Sequence, residues 1–300
     1  MKPLPSLKQL QYLTALAETR HFAQAAERCN VTPSTFSAGI RDLENVLGVA
    51  VAERTKRTVF VTPIGLEIAE RARCLLRDAE DVMRLASTQK EPMTGDMKLG
   101  AIPTVGPFIL PKILPEIGGR YPKLRLYLRE EQTSVLLSRL REGELDVALI
   151  ALPYDTENLA VRVLFDDAFQ LACHADHPLS DHETITDEDL IDQPLFLLEE
   201  GHCLRSHALE ACSLNKSPVR VQFDATSLQT LVQMVASGIG VTLLPQMAVD
   251  AGMSPTRDIR LIPLQRRTAR QIGLVWRASS PRVAEFELLA ELFKNSQPIV

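Results

Sequence analysis

What most constrains the fold of this chain is an alternation that begins at Met97. MKLGAI (97–102) reads as a strand, GPFILPKILPEIGGRY (106–121) as a helix and LRLYL (124–128) as a strand. TSVLLSRLREG (133–143) reads as a helix and LDVALIAL (145–152) as an almost wholly apolar strand. A βαβαβ series has few stable solutions, and a parallel sheet covered by helices is the expected one. A second series follows. VRVLF and FQLAC read as strands, Thr186–Leu190 as a short helix, and LFLLE and VRVQF as strands. TSLQTLVQMVASG reads as a helix, GVTLLP and RQIGLVWR as strands, and RVAEFELLAELFKN as a final helix. Two α/β halves that share a late strand and helix predict two subdomains, 95–165 with 269–300 and 166–268, with a cleft between them.

In such sheets ligands bind beyond the C-terminal ends of strands, at helix N-termini. That rule points to Thr104, after the first strand, and Thr133, at the start of the second helix. Both also suit plain helix capping.

The first 62 residues have a different rhythm. Leu10, Leu13, Leu16 and Ala17 mark one helix face, and Phe22, Ala25, Ala26 and Cys29 mark a second. Thr32 then caps a third helix, with Pro33 in its first turn, Phe36, Ile40, Leu43 and Leu47 as its buried stripe, and Gly48 as its stop. Three short helices with a tight capped join match a helix-turn-helix. Ser34, Thr35, Ser37 and Arg41 lie off the stripe, where hydroxyls and a guanidinium reach phosphates and base edges. Two β-type runs around Thr55-Lys56-Arg57 predict a hairpin wing that sets Arg54, Lys56 and Arg57 on a DNA backbone. The segment carries eight Lys/Arg against five Asp/Glu, while the remaining residues sum to −8. A basic head on an acidic body favours DNA binding over a helical domain that merely solvates a basic hairpin.

Residues 63–92 predict a linker helix. Ala69, Ala72, Leu76, Ala79, Met83 and Ala86 step by 3 and 4, a heptad seam flanked by Ile68, Leu75 and Val82. Dimerisation through this seam is expected, with packing on the chain's own first domain as the alternative.

Several function classes are set aside. No apolar run approaches the roughly 18 residues of a membrane span, and the N-terminus has no signal-peptide pattern. GxGxxG after a strand, GxxxxGK[ST], HExxH and GxSxG are all missing from the sequence. The Cys/His groupings around 173–182 and 202–212 match no zinc signature. Neither a cofactor nor a metal is expected. Five cysteines, an odd number, fit a reducing cytoplasm better than a secreted disulfide framework.

One stretch is unusual: GHCLRSHALEAC (201–212), with two cysteines nine positions apart among good helix formers. On a helix, nine residues turn roughly 900° and rise about 13.5 Å, so the thiols would lie on opposite faces. A disulfide needs Cα atoms within about 7 Å. Cys203, between His202 and Arg205 at the start of such a helix, sits where a sulfur anion is favoured. The residues alone leave two readings open: a reactive thiol with a partner, or two small core side chains.

The order of helix-turn-helix, linker helix and two-part α/β body resembles the LysR-type transcriptional regulators. FAQAAERCNVTPSTFSAGIRDLENVLGV (22–49) and ERTKRTVFVTPIG (53–65) are similar to that family's DNA-binding signature, with Gly39 departing from its recognition helix. IPTVGP (102–107), EEQT (130–133), LLEEGHCLRSHALEAC (197–212), ATSLQTL (225–231) and GVTLLP (240–245) resemble the family's peroxide-sensing members. Leu214 to Ser217 and Asp250 to Arg266 differ from their pattern.

The resemblance implies an α/β fold: a winged helix-turn-helix, a long linker helix and a regulatory domain like the periplasmic binding proteins. It implies that Cys203 is the peroxidatic cysteine and Cys212 the resolving one. Thr104, Thr133, His202, Arg205 and Arg270 are then expected to line a peroxide pocket. The implied partners are promoter DNA (contacted also by Thr32), RNA polymerase during activation and further copies of the chain as a homodimer or homotetramer, with hydrogen peroxide as the signal and antioxidant genes as targets. Two alternatives remain: a LysR-type regulator that senses a small organic effector in the cleft, and a thiol peroxidase-like enzyme.

Overall fold

A computed structural model of the chain describes residues 3–54, 59–88, 92–191, 193–212, 221–253, 258–266 and 268–295. The chain forms two compact units, Met1–Lys90 and Glu91–Val300.

The first unit holds α1 (Leu7–Thr19), α2 (Phe22–Arg28), α3 (Pro33–Leu47), β1 (Ala52–Arg54), β2 (Val59–Val61) and α4 (Pro63–Thr88). The expected caps are present. Ser6 and Gln9 form a capping box on α1. Thr32 accepts from the Thr35 amide at the start of α3, and Gly48 closes α3 with φ +74°. β1 and β2 pair antiparallel with Ala52 opposite Val61, which makes the wing. Its tip, Thr55-Lys56-Arg57, lies outside the described residues.

The predicted seam on α4 is divided. Ala69 and Ala72 are fully buried in one core with Leu13, Leu16, Phe36 and Leu43, so this stretch of α4 packs along α1 of its own chain. The alternative packing therefore holds for that half of the seam. Small side chains explain the close approach. Further along, Leu75, Val82 and Met83 are exposed.

The second unit begins with β3 (Gly95–Ala101), α5 (Gly106–Arg120), β4 (Leu124–Glu130), α6 (Thr133–Glu142), β5 (Val147–Leu152) and β6 (Leu159–His174). A 3-10 turn at Pro178–Asp181 leads to α7 (Asp187–Leu190), β7 (Leu195–Leu198), α8 (Cys203–Ala211), β8 (Val221–Ala225) and α9 (Leu228–Ala236). Then come β9 (Val241–Pro245), α10 (Gln246–Asp250), β10 (Ile259–Pro263), β11 (Ala269–Arg277) and α11 (Val283–Asn295). The sheet order is β4-β3-β5-β11-β6-β9-β7-β8, with β10 also paired to β6. β4, β3 and β5 are parallel, as are β9, β7 and β8, whereas β11 and β6 run antiparallel to their neighbours. The sheet is thus mixed: two parallel trios joined by an antiparallel pair. VRVLF and FQLAC, read as separate strands, are one 16-residue strand, and residues 165 and 166 both lie inside it. Its first part pairs with β11 and its last part with β9 and β10. No described helix is long and apolar enough to cross a membrane.

Candidate functional site

α3 presents Ser34, Thr35 and Arg41 to solvent, with Ser37 half-buried. Thr32 does two jobs: its hydroxyl caps the helix and contacts the Ser34 and Thr35 hydroxyls at 2.9 Å each. Arg41 Nε donates to the Ser37 carbonyl at 3.4 Å. Arg54 ends β1; its side chain, like Lys56 and Arg57, lies outside the described residues. Gly39 is not on this surface. A Cβ there would lie 2.5 Å from the buried Tyr12 ring, so the glycine lets α1 and α3 approach. Its place in the motif reflects packing rather than base recognition.

In the second unit, Thr104 and Thr133 occupy matching places. β3 and β4 pair in parallel with Ala101 opposite Glu130, and each threonine follows its strand by three residues. Both are buried. Thr104 is fixed by Arg270, whose Nη1 donates to its Oγ1 (3.0 Å) and Nη2 to its carbonyl (2.8 Å). A threonine hydroxyl that accepts from Arg270 keeps its own proton to donate elsewhere. Arg270 is held in turn by Asp167 on β6, with Nε and Nη2 each 3.0 Å from Oδ2. Asp167 Oδ1 accepts from the Met247 amide at the start of α10. Burial pushes the Asp167 carboxyl above its ordinary range, with Arg270 and the Met247 amide pulling the other way. The Thr133 hydroxyl is buried with no hydrogen-bond partner among the described residues. A buried, unpaired hydroxyl is costly and marks a place where a small polar molecule can bond.

Within the stretch 201–212, Cys203–Ala211 forms one unbroken helix. His202 is the N-cap of α8, Cys203 its first residue and Cys212 its C-cap. Cys203 is 8% exposed and Cys212 1%, and both are free thiols. Their separation is about 13.5 Å along the helix axis. Gly201, at φ +98°, brings this turn against the start of α6: a Cβ there would lie 2.6 Å from Gln132 Oε1, next to Thr133. His202 Nε2 lies 3.8 Å from Glu199 Oε1. Arg205 Nη1 donates to the Leu198 carbonyl at 3.0 Å, tying α8 to β7. Cys212 differs from a surface thiol: burial, with a smaller contribution from Asp187, pushes it up to about 12.

Sequence reasoning missed Asp167 and Glu199 as members of this region and weighed His207 only as a metal ligand on the face of Cys203. An acidic pair, Asp166-Asp167, inside an apolar strand was the available signal for the first. His207 Nε2 lies 3.0 Å from the Pro153 carbonyl. It lines a cavity of about 270 Å³ with Pro153, Phe169, Thr268 and Arg270. Among the described residues no three His, Cys, Asp or Glu side chains converge on a metal position.

A winged helix-turn-helix joined to a mixed α/β body with a buried polar site is the architecture of a DNA-binding regulator, not of an enzyme. Residues 7–66 match the bacterial regulatory helix-turn-helix protein, lysR family, and residues 90–298 match the LysR substrate binding domain. The chain belongs to the LysR family of transcriptional regulators. It is 43% identical over 98% of its length to the HTH-type transcriptional regulator EstR of Acinetobacter baylyi, covering 98% of that protein. It is 42% identical over 96% of its length to the DNA-binding transcriptional dual regulator OxyR of Escherichia coli K12, covering 95% of that protein. Among solved structures, a full-length Pseudomonas aeruginosa OxyR with a cysteine-to-aspartate change has TM-score 0.80 and 38% identity. That match covers 97% of this chain and 95% of the other. A Corynebacterium glutamicum OxyR with a cysteine-to-serine change and bound H2O2 has TM-score 0.67 and 32% identity, covering 99% and 94%.

Proposed function

We propose that this chain is a peroxide-responsive regulator that switches through Cys203 and Cys212. The observation that carries this reading is the placement of the two thiols at opposite ends of one intact helix. The deprotonated Cys203 sulfur attacks one peroxide oxygen; the O–O bond breaks, leaving the sulfenic acid Cys203–SOH and hydroxide. The Cys212 thiol then displaces the sulfenic oxygen as water and closes the disulfide. Cα atoms about 13.5 Å apart along α8 cannot meet a disulfide's limit of about 7 Å, so closure unwinds the helix. The Thr104 hydroxyl, oriented by Arg270, and the unpartnered Thr133 hydroxyl support a small site for peroxide beside the α8 N-terminus. The OxyR relatives and the H2O2-bound neighbour support the same chemistry.

In this reading residues 95–165 with 269–300 and residues 166–268 act as two subdomains. Their contacts, and those between copies of the chain, change when α8 unwinds. The exposed Leu75, Val82 and Met83 on α4 suit a second copy, and a homotetramer then places its heads on promoter DNA and meets RNA polymerase differently in the two states.

Stoichiometric peroxide followed by thiol alkylation and peptide mass spectrometry tests this. A Cys203–Cys212 crosslink is expected, lost in Cys203→Ser. A peroxide-dependent promoter footprint that survives in Cys203→Ser refutes it. A second reading, a small organic effector, draws on the cavity of about 270 Å³ beside α8 and on the likeness to EstR. A ligand-induced rise in Tm with an intact response in Cys203→Ser favours that reading instead.

A further inference from the structure

Joining Cys203 to Cys212 requires α8 to leave its place, so whatever holds α8 from outside sets how readily the switch closes. Among the described residues, side-chain hydrogen bonds from Arg205, Thr268 and His207 tie it to its surroundings. Arg205 reaches back to Leu198, only seven residues away on the preceding strand. Thr268 Oγ1 donates to the Ala211 carbonyl at 3.2 Å, at the last helical residue. His207 bonds the Pro153 carbonyl, 54 residues away, from the middle of the helix.

His207 is the unusual member. It is 6% exposed. A carbonyl only accepts, so Nε2 carries the proton and donates it. Nδ1 is then a bare acceptor, and it has no partner among the described residues. The ring works as a neutral donor: burial first, and the Arg270 guanidinium after it, disfavour a second proton, against the smaller pull of the Pro153 carbonyl and Glu210. On the same face of α8, His207, Glu210 and Ala211 border the cavity of about 270 Å³ together with Thr268 and Arg270. Space beside the helix gives displaced residues somewhere to go.

We propose that His207 is the latch of the switch: its hydrogen bond to Pro153 holds α8 in the reduced arrangement and must break before Cys212 can reach Cys203. His207 is a positioning residue, since it acts on the helix and touches neither sulfur's reaction. The proposal rests on the thiol-switch reading above. In the reduced form, loss of the donor removes the hydrogen bond that holds α8 to the Pro153 carbonyl; in the unwound form that bond is already broken and nothing is lost. The substitution therefore destabilises the reduced form selectively.

The test uses the full chain with His207→Leu, which keeps bulk and removes the donor, and His207→Gln, whose amide can restore it. In glutathione redox buffers, His207→Leu should shift the Cys203–Cys212 equilibrium about tenfold towards the disulfide, about 1.4 kcal/mol. Disulfide closure after peroxide should be faster by a similar factor. Sulfenic acid formation, trapped with dimedone in a Cys212→Ser background, should keep its wild-type rate. His207→Gln should behave as wild type. Should His207→Leu not fold, His207→Ser takes its place with the same expected direction. Equal closure rates and equilibria for wild type and His207→Leu overturn the latch.

Hydrogen exchange of the reduced protein separates this from failure of the parent reading. The latch predicts faster exchange of α8 amides in His207→Leu, rescue in His207→Gln and no change in α9, whether or not peroxide ever joins the thiols. Unchanged α8 exchange overturns the latch even if the disulfide forms.

Discussion

Arg270→Met removes the centre of the buried cluster that fixes Thr104, and its cost follows from charge and pH. The Arg270 and Asp167 side chains are 0% and 1% exposed, so the variant leaves a carboxylate buried without its cation. Breaking a buried pair from one side costs about 3–5 kcal/mol. Protonation of Asp167 limits that cost. Keeping the carboxyl neutral at pH 7 costs about 1.4 kcal/mol for each unit between 7 and its unfolded value near 3.9, roughly 4 kcal/mol; at pH 5 the limit is roughly 1.5 kcal/mol. The two hydrogen bonds to Thr104 add about 1 kcal/mol each, independent of pH. Burial already raises Asp167 in the native chain, and Arg270 opposes it. Without Arg270 the folded carboxyl lies higher still, so the folded state binds more protons than the unfolded one above pH 4. Stability then falls as pH rises through that window, more steeply in the variant. Urea unfolding should show a deficit of about 6 kcal/mol at pH 7 and about 3.5 kcal/mol at pH 5. With a slope near 2 kcal/mol/M, the midpoint at pH 7 drops by roughly 3 M. Asp167→Asn combined with Arg270→Met should recover more than half of the pH 7 deficit. A deficit that stays flat between pH 5 and pH 7, or a double variant whose losses simply add, refutes the reasoning.

Thr133→Val deletes the unpartnered hydroxyl; stability should stay level or rise, while oxidation of Cys203 by peroxide, followed by stopped-flow thiol loss, slows about tenfold, about 1.4 kcal/mol of barrier. Gly39→Ala should lower Tm, because overpacking against Tyr12 at about 1–3 kcal/mol outweighs the helix-propensity gain of about 1 kcal/mol. In a Tyr12→Ala background the same change should raise it. Arg41→Ala should weaken promoter binding and reduce the slope of log K against log salt by about 1 if Arg41 meets a phosphate, measured by fluorescence anisotropy across a salt series.

The head was legible because its signals are local. Thr32, Pro33 and Gly48 bracket α3, and Phe36, Ile40 and Leu43 recur at helical spacing, so caps and stripe agree. The body was legible where a strand and its following helix are both long, as from β3 to β5. It was not legible at β6, where Asp166-Asp167 reads as a break; the charge of Asp167 is met by Arg270, 103 residues away, which no local pattern reveals. β10 and α10 each span five residues within or beside a stretch that carried no periodic signal. The seam on α4 was visible as a pattern, but the same spacing serves a partner helix or α1, and only the buried Ala69 and Ala72 distinguish them. At the candidate site, the rule for strand ends pointed to Thr104 and Thr133, which follow β3 and β4 at matching places. No such rule pointed to His207, because a histidine among helix formers carries no mark of the carbonyl it will meet.

Burial pushes the Cys212 thiol up to about 12, so that one sulfur is chemically quiet in the folded chain. At neutral pH far fewer molecules carry that sulfur as an anion than the few per cent of a free cysteine near about 8.5. Alkylating metabolites, disulfides and metal ions that probe thiols find little to react with there. In the proposed switch, unwinding α8 returns the side chain to water and, with it, to ordinary acidity. In that reading proximity and reactivity arrive in a single event: the movement that carries Cys212 within reach of Cys203 also arms it.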